Sequence, residues 1–169
     1  MKKGFKFVIE NILPTVTSIG QILAAVLAYW QPVSSTVRNS GWIILWISGI
    51  FGMLPIFTFR KWGGVQKGSS YVKTNVLVDK GIYSIVRHPQ YLAGILISIG
   101  LVLIAPGRLN IALGAINMVQ YCAGSIDEEK SLIDQFGNAY VAYKKRVPRF
   151  NVILGVFRRI KDLFFNSKF

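Results

Sequence analysis

The chain has 169 residues, enough for one domain; 52% are hydrophobic and only 16% charged, against about 25% charged in a typical soluble domain. Its formal net charge of +13 is read as basic loops facing anionic headgroups rather than as a nucleic-acid surface, because the apolar residues gather into long runs. A single cysteine, Cys122, excludes an internal disulfide and any multi-cysteine metal site, and with one histidine beside it no metal is expected.

The first apolar run extends from about Ile12 to Trp30. Lys2, Lys3 and Lys6 precede it, but it lacks a small-residue cleavage pattern and exceeds a signal-peptide core, so it is expected to be a retained span. Gln31 to Ser40 is a short turn with one charge, Arg38, and a second run follows from about Gly41 to Phe59. Each run has the roughly 20 residues that cross a hydrocarbon core. Arg60 to Arg87 is a long basic loop. A third run, Pro89 to Ala105, is only about 25 Å long as a helix. Pro106-Gly107-Arg108 makes a tight turn, and a fourth helix from Leu109 passes Cys122 and runs to Phe136, with Gly137 as its stop.

Lys and Arg gather at the N-terminus, in the Arg60–Arg87 loop and in the tail, whereas the turns at Arg38 and Arg108 are poor in charge. Four spans with both termini cytoplasmic satisfy the positive-inside rule. The expected class is therefore all-α: a multi-span integral membrane protein of about four transmembrane helices, with a C-terminal hairpin and a cytoplasmic helical tail. Residues 1–169 form a single domain, with 1–59 as two spans, 60–150 as loop, hairpin and acidic motif, and 151–169 as an amphipathic helix. In that last segment Val152, Ile153, Val156, Phe157, Ile160, Leu163 and Phe164 recur at helical spacing between Arg158, Arg159 and Lys161. It suits an anionic membrane surface or a site against the protein's own spans.

Two polar clusters remain. Arg87-His88-Pro89-Gln90-Tyr91 opens the third run, and Asp127-Glu128-Glu129 holds three of the seven acidic residues. Glu128 lies about 29 Å along the fourth helix from Leu109, one bilayer thickness, so the hairpin returns it to the interface where His88 began. Pro89 suits the first helical turn, and donors at a helix start can hold a carboxylate or phosphate. The glutamates offer charge to an ammonium or a ribose. Taken separately, each cluster also has a bland reading: His88 as a capping interfacial histidine, and the acids as the solvated end of a helix leaving the bilayer.

Together the clusters carry a resemblance. Leu77-Val78, Gly81, Tyr83, Arg87-His88-Pro89, Tyr91 and Gly94, and then Glu128-Glu129, Leu132, Phe136-Gly137, Tyr140, Tyr143 and Val147-Pro148, resemble the signature of the isoprenylcysteine carboxyl methyltransferase family over about Gln66 to Phe150. The same pattern is similar to that of phospholipid N-methyltransferases. The resemblance implies a membrane methyltransferase using S-adenosyl-L-methionine. It places Leu77, Val78, Tyr83, His88, Pro89, Gln90, Tyr91 and Glu128 around the cofactor, with Gln66 as a further contact and Arg87 and Glu128 as the catalytic residues. One departure stands out: the family carries an Arg four residues before the cofactor Glu, where this chain has Gly124. Either Arg146 or Arg149 is then expected to meet the substrate carboxylate, or the substrate is not a prenylated cysteine.

A carboxylate acceptor is anionic at neutral pH and needs no base, whereas an amine must lose a proton, so one histidine and few acids lean towards carboxyl methylation. The expected partners are a lipophilic or lipidated substrate and membrane lipid, with no nucleic acid; oligomeric state is left open. Two other readings are a non-enzymatic four-span scaffold or transporter subunit, and a membrane reductase using a nicotinamide cofactor. The first is disfavoured because transporters place ionisable groups at mid-membrane. Against the second, the chain has no Gly-rich dinucleotide fingerprint.

Overall fold

The computed structural model describes residues 12–64 and 76–165, and all regular structure within them is helical. The helices are α1 (Leu13–Ala28), α2 (Ser35–Trp62), α3 (Pro89–Ile104), α4 (Arg108–Phe136), α5 (Asn138–Arg146) and α6 (Val152–Phe165), with a short 3₁₀ turn at Gly81–Ser84. α2 and α4 are long and apolar enough to cross a membrane, while α1 and α3 are shorter apolar helices. α2 outruns the predicted span at both ends because neither Ser35–Ser40 nor Arg60–Trp62 contains a proline or glycine to stop it. α4 ends where expected, at a glycine with positive φ: Gly137 at 55° donates its amide to the Ile133 carbonyl at 2.8 Å.

The chain divides into two compact units, Met1–Ile50 with Tyr91–Ile126, and Phe51–Gln90 with Asp127–Phe169. The first is built on small residues. Ala25, Ala28, Ile104 and Ala105 form its core, with Tyr29, Leu45 and Leu101 packed on them. At Gly41 an added Cβ would lie 2.8 Å from the Gly100 carbonyl, so α2 and α3 approach backbone to backbone, as helices do in lipid. Buried amides join the helices: Asn117 donates to the Gln21 side chain at 2.7 Å, and Gln21 donates to the Ser98 carbonyl at 3.0 Å. Arg38, the one charge of the first turn, donates to the carbonyls of Tyr29 and Gln31 at 3.1 and 3.2 Å. It thereby closes the carbonyl end of α1, which has no intrahelical partners left.

The second unit carries the polar clusters. Its core is Tyr140, Tyr143 and Val147, packed with Leu77, Leu132, Ile133 and Phe136. The α5 helix thus lays two tyrosines from successive turns onto the last turns of α4. Beyond α5 the chain runs extended, and its Pro148 and Arg149 carbonyls accept the amides of Arg87 and His88 at 3.0 and 3.3 Å. Those two bonds fix the start of α3 to the segment that follows α5.

Candidate functional site

The site is organised by Glu129, which is 2% exposed. Its carboxylate receives Arg87 Nη2 at 2.8 Å and Nε at 3.2 Å, and Arg149 Nε at 3.0 Å with Nη2 at 2.8 Å. Lys144 Nζ lies 2.8 Å from Oε2, and His88 Nε2 is 3.3 Å from Oε1. A buried carboxylate persists only with such compensation, and here three cations supply it. Arg87 extends the network through Nη1, which donates to the carbonyls of Lys144 and Val147. All three nitrogens of its guanidinium are therefore engaged by the protein.

Adjacent residues on a helix diverge by about 100°. Glu128 accordingly leaves this network: its side chain is 45% exposed, and its Oε2 lies 3.4 Å from His88 Nδ1. His88 stands between the two carboxylates, one ring nitrogen towards each, with its ring against Phe150 at 6.3 Å between centroids.

Glu128 borders a cavity of about 250 Å³. Leu77, Val78, Tyr83, Arg87, His88 and Gln90 also line it, and Leu132, Phe136 and Tyr140 belong to its wall. The Tyr83 ring is positioned edge-on against Phe59, with centroids 5.1 Å apart, and its carbonyl accepts the Tyr143 hydroxyl at 2.7 Å. Burial raises the hydroxyl pKa of all three tyrosines; in Tyr140, where Glu129 adds to the effect, it is pushed up to about 12. They are neutral donors at any physiological pH. The Tyr140 hydroxyl is buried and has no hydrogen-bond partner among the described residues.

The remaining predicted site residues are placed elsewhere. Pro89 is fully buried as the first residue of α3. Tyr91 belongs to the first unit, where its ring covers Gly124: a Cβ added there would sit 2.9 Å from Tyr91 Cε1. Arg149 is committed to Glu129, and Arg146 pairs with Asp79 at 3.4 Å beside a different cavity. Gln66 lies outside the described residues. Two participants were not among the expected site residues. Glu129 was weighed both as charge offered to a ligand and as a solvated helix end, although the cations of the Lys144–Arg149 stretch were a signal for a buried partner. Tyr140 stood in the resemblance without a role.

The His-Pro start of α3 and the Glu-Glu pair of α4 thus fall in one compact helical unit. Residues 38–139 match the family model for phospholipid methyltransferases, and the chain belongs to that family. It is similar to protein-S-isoprenylcysteine O-methyltransferases. The protein of that name from Rattus norvegicus is 30% identical over 139 residues, covering 73% of this chain and 48% of the relative. That from Xenopus laevis is 31% identical over 137 residues, with the same coverage of 73% and 48%. The B protein of Arabidopsis thaliana is 30% identical over 115 residues, covering 61% of this chain and 58% of its own length. The chain spans about half the length of the animal relatives it matches, 48%. No solved structure matches it.

Proposed function

We propose that the chain is an S-adenosyl-L-methionine-dependent methyltransferase acting on the carboxylate of a lipophilic, prenylcysteine-like acceptor at the cytoplasmic face of a membrane. The observation that carries this reading is that the Arg-His-Pro and Glu-Glu motifs, 41 residues apart between His88 and Glu129, meet at one cavity. Relatives aligned over 73% of the chain bear the name of that reaction.

The residues present fit the cofactor. Leu77, Val78, Leu132 and Phe136 offer an apolar wall for a flat base. Glu128 offers a part-exposed carboxylate for an ammonium or ribose hydroxyls, and the unpartnered Tyr140 hydroxyl offers a further polar contact. When bound, the sulfonium supplies an activated methyl group for in-line displacement. The protein's part is then alignment and exclusion of water, which supplies much of the rate. His88 holds Glu128 at the cavity edge, while Glu129, Arg87 and Arg149 lock His88 in place. A carboxylate acceptor arrives ionised and needs no base from this inventory. Of the predicted pair, Arg149 is bound to Glu129 and Arg146 lies beside a different cavity, so neither is assigned to the acceptor's carboxylate.

The same proposal takes α1 to α4 as four spans with both termini cytoplasmic. The test is transfer of labelled methyl to N-acetyl-S-farnesylcysteine and to phosphatidylethanolamine side by side. The expected product is a base-labile methyl ester that releases methanol. The description of the matched family favours a second reading, methylation of a phospholipid amine. Label appearing only in a base-stable methylated phospholipid establishes that reading and removes the first.

A further inference from the structure

The α6 helix is docked the wrong way round for a protein surrounded by water. Its apolar stripe faces outward: Ile153 is 85% exposed, Phe157 66% and Phe164 72%, with Leu163, Ile160 and Val156 exposed beside them. Its opposite side meets the protein. At Gly155 an added Cβ would fall 1.8 Å from the Ile85 carbonyl, so the α6 backbone lies directly on the segment after the 3₁₀ turn. One turn on, Arg158 donates to the carbonyls of Lys145 and Arg146 at 3.3 and 3.2 Å, closing the carbonyl end of α5. The polar side is thus anchored by backbone contact and capping bonds, and the apolar side is left without cover. A contiguous apolar face of this kind marks a surface that water does not meet.

A cavity of about 220 Å³ lies on the anchored side, with Lys80, Arg146, Arg158 and Arg159 facing two carboxylates, Asp79 and Asp162. Arg146 is paired with Asp79, and Arg158 is spent on the end of α5. The side chains of Lys80 and Arg159 make no ion pair or hydrogen bond among the described residues. Two unspent cations therefore sit beside an exposed apolar stripe on the same helix.

We propose that α6 is an interfacial helix that binds anionic phospholipid: its apolar stripe enters the acyl layer, and Lys80 and Arg159 hold the lipid phosphate. Neither element suffices alone. The stripe explains burial in a bilayer without choosing a headgroup, and the excess of cations over carboxylates chooses an anionic one. A second copy of the chain seated on the stripe would present the same basic edge and gain nothing from these charges.

The test uses the full chain in lipid nanodiscs of phosphatidylcholine, with and without phosphatidylglycerol. A nitroxide is placed by Phe157→Cys or Lys161→Cys in a Cys122→Ser background. At 157 it should collide with dissolved oxygen, and at 161 with a water-soluble nickel chelate. In native mass spectrometry the parent should retain phosphatidylglycerol in preference to phosphatidylcholine. Lys80→Gln/Arg159→Gln should weaken that retention about tenfold or more while leaving the oxygen signal at 157 unchanged. Nickel access at 157 would overturn the proposal, as would spin–spin coupling between two copies at that position. Equal retention of the two lipids, or unchanged retention in the double variant, would remove the anionic-lipid site.

Discussion

Two adjacent glutamates do different work. Glu129 is buried among Arg87, Lys144 and Arg149, whereas Glu128 faces the cavity. Glu129→Gln leaves the buried Arg87 without its charge partner and should destabilise the fold by about 3–5 kcal/mol, measured by thermal unfolding in detergent. Glu128→Gln should leave the melting temperature unchanged and weaken S-adenosylhomocysteine binding about 10- to 150-fold by calorimetry. Parent-like binding would place the cofactor elsewhere. Tyr140→Phe separates stability from binding, because its hydroxyl is buried and unpartnered among the described residues. Removing it should hold or raise the melting temperature and weaken the ligand, whereas a purely structural hydroxyl would show the reverse. The tyrosine cluster also sets an alkaline limit. Burial raises the pKa of Tyr140 to about 12, and raises Tyr83 and Tyr143 as well, against about 10 in an unfolded chain. A raised folded-state pKa gives stability that is complete below the unfolded value and lost as pH rises through the folded one. Stability should therefore fall from about pH 10 towards 12, less steeply in Tyr140→Phe.

At the scale of elements, glycines decide where helices stop and how closely they pass. Gly137 ends α4 at a φ of 55° and turns the chain into α5, which brings Tyr140 and Tyr143 back over Leu132 and Phe136. Gly124 stands where the resemblance to isoprenylcysteine carboxyl methyltransferases leads one to expect an arginine, and here the Tyr91 ring fills the space a side chain would need. Gly124→Ala should cost about 1–3 kcal/mol through overpacking. The cost should vanish in a Tyr91→Ala background, so a double-mutant cycle reads the contact as a coupling energy. Additive effects would mean that glycine is there for another reason. The α5 helix also places Lys144 on Glu129, a pairing across 15 residues that turns the basic stretch before Pro148 from a solvated tail into part of the site.

For the whole molecule, α2 and α4 have the length and composition of spans, and α1 and α3 are shorter apolar helices. The proposed four-span topology would put Ser35 and Arg108 outside and Lys80 and Lys161 inside. Single cysteines at these four exposed positions, in a Cys122→Ser background, should react with an impermeant thiol reagent from outside only at the first two. Labelling at Lys80 from outside would move the cavity of Glu128 to the other face. The fully buried helix-to-helix amides of the first unit, Gln21 and Asn117, fit the same picture, since buried polar pairs join helices where apolar contact alone gives no preference.

Helical class, the start of α3, the end of α4 and the two motifs are legible in the sequence, because apolar runs, Pro89 and Gly137 act through local backbone chemistry, whereas the limits of α2, which no proline or glycine marks, are not. Leu77, Val78, Tyr83, His88, Gln90 and Glu128 could likewise be named before any coordinate, and they line one cavity. The burial of Glu129 was not legible, because its three cations come from separate places in the chain: Arg87 from just before α3, Lys144 from α5 and Arg149 from the segment that follows α5. For the same reason Arg149 looked available to a substrate and is instead bound to Glu129, and α6 has an apolar stripe in the sequence but an outward-facing one only in the structure. Local signals fix what each segment is. Which polar group is buried, and against which partner, depends on residues tens of positions away, and only the packed chain brings those together.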